Sequence, residues 1–164
     1  MKDNNKVFLD ALAENKDSLF RLCLAYSSSQ EDAQDLYQEV LINIWKSLPG
    51  FKGESKISTW MYRIALNNCL RASQKRRNKL KLFKNIKYVD IENLEVKTED
   101  DNSSRLTMLY HCIKKLNHSD TSIVMLFLED MSYKEISVVT GLSENHIAVK
   151  MKRIRTKLLN CFKS

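Results

Sequence analysis

Apolar residues recur along most of the chain at intervals of three and four, the period of a helix with one buried face. The spacing predicts a first helix over about residues 5–26, with Phe8, Leu12, Leu19, Leu22 and Cys23 inward. Ser29 is suited to cap a second helix, which turns Ala33, Leu36, Val40, Ile44 and Leu48 inward and stops at Pro49-Gly50. A third begins near Ser58 and continues through Thr59-Trp60-Met61-Tyr62-Arg63 into a basic run. Toward the C-terminus, Ser132 and Glu135 have capping-box spacing, and Gly141 supplies a left-handed residue to end a short helix. Ser143 then caps a last helix in which Ile147, Met151, Ile154 and Leu158 form one stripe.

Composition agrees with that pattern. Three Gly and one Pro in 164 residues leave few points where a helix must stop. Charge then divides the chain: every charge from Arg71 to Lys87 is positive, whereas Asp90 to Asp101 carries six acids against Lys97 alone. The polar stretch ending Asp100-Asp101-Asn102-Ser103-Ser104 has too little apolar surface to fold by itself, so residues 81–104 are expected to be a linker. The expected fold class is all-α: two small helical domains, residues 1–80 and 105–164, joined by a flexible linker, the C-terminal one a helix-turn-helix.

A capped helix, a Gly turn and a second capped helix form a device for placing the second helix in the DNA major groove. Opposite its apolar stripe lie Asn145, His146, Val149, Lys152, Arg153 and Thr156, flanked by Lys150, Arg155 and Lys157. Polar groups in the middle of such a face suit base edges, and flanking cations suit phosphates. Between Lys134 and Lys163 the acids are Glu135 and Glu144 alone, so the segment has a positive field of its own. Val149 fits either a thymine methyl or packing on the preceding helix.

The formal charge of +7 favours an anionic partner. No apolar run approaches the roughly 20 residues of a membrane span, and the N-terminus lacks a signal-peptide core, so a cytoplasmic protein without membrane insertion is expected. Cys23, Cys69, Cys112 and Cys161 are scattered, without metal-ligand spacing, and read as buried reduced thiols. His111, His118 and His146 are isolated, and no Gly-rich phosphate loop is present. Neither a metal, a cofactor nor a catalytic constellation is therefore expected.

Two longer motifs go further. Asp35-Leu36-Tyr37-Gln38-Glu39-Val40, Ile44-Trp45, Phe51-Lys52-Gly53 and Thr59-Trp60-Met61-Tyr62-Arg63-Ile64-Ala65-Leu66-Asn67 together resemble region 2 of the extracytoplasmic-function (ECF) sigma factors of the sigma-70 family. Met131-Ser132-Tyr133-Lys134-Glu135-Ile136 and Gly141-Leu142-Ser143 resemble region 4 of the same group. The resemblance implies a bacterial initiation factor that binds core RNA polymerase, directs it to promoters and assists melting. It assigns Asp35, Gln38, Glu39, Asn43 and Trp45 to docking on the polymerase's large clamp subunit, although on helical spacing alone that face reads as solvated. It gives the minus-ten element to Phe51, Lys52, Gly53, Lys56, Trp60, Tyr62, Arg63 and Asn67, with Arg71, Lys75, Arg76 and Arg77 on phosphates upstream. Trp60 and Tyr62 are equally suited to the core. Ser143, Asn145, His146, Val149, Lys150, Lys152, Arg153 and Lys157 fall to the minus-thirty-five element. The polymerase flap and an anti-sigma factor, which could hold the protein at the membrane, complete the implied partners.

This chain departs from the family at Asn117, where Pro is frequent, near Thr121, where a basic residue is frequent, and at Ala148 and Val149 in the reading helix. The competing interpretation is a stand-alone helix-turn-helix regulator of response-regulator type. That class gives no reason for the Asp35, Gln38 and Glu39 face or for the Trp60 helix.

Overall fold

Three helices build the N-terminal unit: α1 (Lys2–Ala25), α2 (Gln30–Ser47) and α3 (Ile57–Leu82), with a 3-10 turn at Leu48–Gly50. Four build the C-terminal unit: α4 (Asp101–Lys114), α5 (His118–Leu128), α6 (Tyr133–Thr140) and α7 (Glu144–Lys163). This computed structural model describes residues 2–82 and 101–164, and every regular element among them is helical. Most of the expected linker, residues 81–104, lies outside the described residues.

In the N-terminal unit the helices meet along the stripes that periodicity marks. Leu19, Leu22 and Cys23 of α1, Ala33, Val40 and Ile44 of α2, and Met61, Ala65 and Cys69 of α3 are buried together with Phe8. Each large aliphatic withdrawn from water in this way stabilises the unit by about 1.5–3 kcal/mol. Leu12 is half-buried. The Ser29 hydroxyl caps α2, accepting from the Asp32 amide at 3.1 Å. Between α2 and α3, Asn43 Nδ2 donates to Asn68 Oδ1 at 2.6 Å. The Arg76 guanidinium donates to the carbonyl of Tyr26, just past the end of α1, where backbone acceptors lack helical partners.

In the C-terminal unit each turn has a local cause. Asn117 caps α5, its side chain accepting from the Asp120 amide at 2.9 Å, so the residue that replaces the family's Pro still starts a helix. Thr121, at the other departure, is buried and donates to the Asn117 carbonyl at 3.0 Å. Ser132 and Glu135 form a complete capping box, with reciprocal bonds of 3.1 and 3.0 Å. Gly141 sits at φ +79°, the left-handed position that ends α6. Ser143 caps α7 by accepting from the His146 amide at 3.1 Å. Ile147, Met151 and Ile154 are buried against the other helices, and Leu158 is half-buried.

The cysteine expectation is corrected for one pair. Cys23 and Cys69 are buried free thiols, but Cys112 and Cys161 form a disulfide between α4 and α7. Helix packing brings these two residues, 49 apart in sequence, to a Cα–Cα distance of 5.9 Å. Sequence spacing carries no trace of that approach.

Candidate nucleic-acid interface

Polar residues on the outer sides of α2 and α3 line an open groove in the N-terminal unit. Asp32, Asp35 and Glu39 stand on the α2 wall, and Arg71, Lys75, Arg76 and Lys79 on the α3 wall. Asp35, Gln38, Glu39, Arg71, Lys75 and Arg77 are exposed. Asn43 is half-buried in its bond to Asn68, and Arg76 is half-buried in its bond to Tyr26, so both also brace the unit. Arg77 donates to its neighbour Gln74 at 3.0 Å. Trp45 remains 48% exposed while its ring meets Phe8 at 5.2 Å, edge to face.

Beyond α2 the chain bends through residues 51–56, where Gly53 takes φ +73° and Lys52 and Lys56 are exposed. The Phe51 ring lies 5.0 Å from that of Trp60, tilted by 46°. Both rings are half-buried, so this pair packs at the surface and keeps an open side. Arg63 and Asn67 project from α3 on exposed positions. Tyr62, by contrast, is 5% exposed, and its hydroxyl donates to Ser18 of α1. It therefore belongs to the packing that supports the surface.

On α7 the expected outward set is brought together: Asn145, His146, Val149, Lys152, Arg153 and Thr156 are all exposed on one side of the helix. Val149 is 49% exposed. Of the flanking cations, Lys150 and Lys157 are engaged. Lys150 Nζ donates to Ser119 Oγ at 2.8 Å and pairs with Asp120 Oδ1 at 3.5 Å, while Lys157 Nζ pairs with Asp120 Oδ2 at 3.0 Å. Arg155 lies over the Phe127 ring, 5.5 Å from its centroid. Asp120, 4% exposed, is the residue that sequence reasoning missed. Its one local signal is its place three residues after the Asn117 cap; its lysine partners lie 30 and 37 positions downstream.

The two units define a pair of helical domains, one with an acidic and basic groove beside an aromatic loop, the other a helix-turn-helix. Known proteins carry the same pair. The family described as Sigma-70 region 2 matches residues 12–79, and that described as Sigma-70, region 4 matches residues 106–158. The chain belongs to the sigma-70 family. Its relatives place it in that family's ECF group. It is 24% identical over 155 residues to the RNA polymerase sigma factor SigV of Bacillus subtilis, covering 93% of this chain and 89% of SigV. It is likewise 24% identical to the ECF sigma factor SigW of the same organism, covering 96% and 89%. A segment of 57 residues is 46% identical to the ECF sigma factor SigG of Mycobacterium tuberculosis, which is 35% of this chain and 15% of SigG. In fold, the chain is similar to the sigma factor RpoE of Bartonella quintana, solved with the anti-sigma factor NepR, with a TM-score of 0.75 at 21% identity and coverage of 99% and 98%. Among the described residues no helix is long and apolar enough to cross a membrane.

Proposed function

We propose that this chain is an ECF initiation factor that binds core RNA polymerase, directs it to a particular promoter set and assists strand opening, contributing binding energy and no bond chemistry of its own. One observation carries the reading: regions 2 and 4 occur in one chain, and each exposes a polar surface of the right kind. Docking falls to Asp35, Gln38, Glu39 and the exposed part of Trp45, whose charges suit a basic polymerase surface. The partly open Phe51 and Trp60 rings can stack on a base pulled from the duplex, with Asn67 and Arg63 near its edge and backbone. Arg71, Lys75 and Arg77 hold upstream phosphates. The face from Asn145 to Arg153 reads the minus-thirty-five element, while Lys150 and Lys157 act chiefly by fixing α7 on α5.

The same reading puts the protein in the bacterial cytoplasm with the polymerase, and gives it the flap and an anti-sigma factor as further partners. RpoE of Bartonella quintana was solved with such a factor. Core polymerase supplemented with this protein should initiate at discrete promoters in a purified transcription assay. Equal initiation by core alone at the same sites would overturn the proposal, and tight specific duplex binding without polymerase would favour a stand-alone regulator.

A further inference from the structure

The four cysteines form two pairs with opposite properties. Cys23 and Cys69 meet inside the N-terminal core, each fully buried. A hydrogen bond with Cys23, then burial, holds the Cys69 thiol well above its usual value. A pair sealed in this way meets no oxidant and behaves as two small apolar side chains. Cys112 and Cys161 are different. They join α4 to the last turn of α7, and Cys161 is only half-buried whereas Cys112 is 1% exposed.

A protein that works on core polymerase works where low-molecular-weight thiols keep most cysteines reduced, and a disulfide there is usually exchangeable. We propose that Cys112 and Cys161 are a reversible redox clamp on the DNA-reading unit, closed by low-molecular-weight disulfides such as oxidised glutathione. The Cys161 thiolate attacks the small disulfide, forming a mixed disulfide and releasing one small thiol. Cys112, deprotonated, then attacks the Cys161 sulfur, closing the protein bond and releasing the second small thiol. Two protein thiols are oxidised and one small disulfide is reduced to two thiols, so the exchange balances. Reduction runs the same steps backward.

The position of the bond gives the exchange a consequence, which rests on reading α7 as the helix that meets the minus-thirty-five element. Ile147, Met151 and Ile154 fix the first half of α7 by burial. Its last turn has less to hold it: Leu159 is 58% and Phe162 43% exposed, with Leu158 half-buried. The clamp thus decides whether the end of α7 stays fastened to α4. A fastened helix loses less freedom on binding DNA, so the oxidised form binds its promoter more tightly.

The test uses the full chain. Equilibrate it across ratios of reduced to oxidised glutathione, quench by alkylation and read the intact mass and the labelled peptides. Cys112 and Cys161 should escape alkylation together and recover with dithiothreitol, while Cys23 and Cys69, labelled after unfolding, remain thiols at every ratio. Reduced and oxidised samples, each with core polymerase, are then compared on a promoter fragment mapped from transcripts induced by overexpression. Promoter occupancy should be about threefold or more higher for the oxidised form. The difference should vanish in Cys161→Ser and in Cys112→Ala. No bond at any ratio, oxidation of Cys23 with Cys69 instead, or equal occupancy by both forms would overturn the clamp. Initiation by neither form overturns the proposed function itself, and the alkylation profile still decides whether the bond forms and exchanges.

Discussion

Asp120 supplies the sharpest test of how the reading helix is held. Its carboxylate is nearly enclosed at the start of α5 and takes Lys150 at 3.5 Å and Lys157 at 3.0 Å, one on each oxygen. The two pairs are unequal. The Lys157 side chain is 53% exposed, so water and salt screen it and its share is at most about 1 kcal/mol. The Lys150 side chain is 21% exposed and also bonds Ser119 at 2.8 Å, so its charged hydrogen bond to Asp120 contributes about 1.5–3 kcal/mol. Asp120→Ala should therefore destabilise the C-terminal unit by about 2–4 kcal/mol, which in a unit of this size lowers its melting temperature by on the order of 10–20 °C. The chain contains its own control. Both tryptophans, Trp45 and Trp60, lie in the N-terminal unit, so their fluorescence follows that unit while far-UV circular dichroism follows all the helices. In reducing buffer the variant should lose part of its helical signal early while the tryptophan transition stays in place. A double-mutant cycle should then give a coupling of about 1.5 kcal/mol or more with Lys150→Met and one near zero with Lys157→Met. A wild-type melt for Asp120→Ala, or an equal shift of the tryptophan transition, would refute the reasoning.

Other outcomes follow from the N-terminal groove and from α7. Charge reversal by Asp35→Lys with Glu39→Lys should weaken binding to core polymerase by a few kcal/mol, about what desolvated charge pairs contribute, at unchanged helicity; undiminished binding would assign this face to solvent. Arg76→Ala should cost the N-terminal unit about 1–2 kcal/mol in a denaturant titration read by tryptophan, since it removes the charged hydrogen bond that ties α3 to the Tyr26 carbonyl. Lys75→Ala should leave that titration unchanged and flatten the salt dependence of promoter binding by the holoenzyme by about one counterion; the opposite pattern would exchange their roles. Arg153→Ala should cost about 1–3 kcal/mol at the matched minus-thirty-five sequence and relax preference there, whereas a loss uniform across sequences would make Arg153 a phosphate contact.

What could be read in the sequence was local. Ser29, Ser132 with Glu135, Gly141 and Ser143 act within one helical turn, and each does in the structure what its spacing predicts. The outward set on α7 followed from period alone, because Ile147, Met151 and Ile154 fix which side faces in. Period names the buried face without naming the helix that covers it. For that reason the Asp120 pairs, the Arg76 bond and the disulfide, all between residues at least 30 apart, stayed out of sight. Tyr62 is a different case. Its burial was available from spacing, since Tyr62, Leu66, Cys69 and Ser73 are buried at intervals of four, three and four. The family motif drew it toward the surface that its neighbours Arg63 and Asn67 occupy.

The groove between α2 and α3 has walls of opposite sign, and this ties two associations together thermodynamically. While Asp35 and Glu39 face water, their charge partly cancels the attraction that Arg71, Lys75 and Lys79 exert on a polyanion along the same groove. On the proposed docking, a polymerase surface that neutralises the acids unmasks the cations. Holoenzyme formation and promoter affinity then reinforce one another by the same factor, as reciprocity demands, and the reinforcement shrinks as salt screens both walls. Off the polymerase, the chain is correspondingly less prone to be titrated away by the large excess of nonspecific duplex around it.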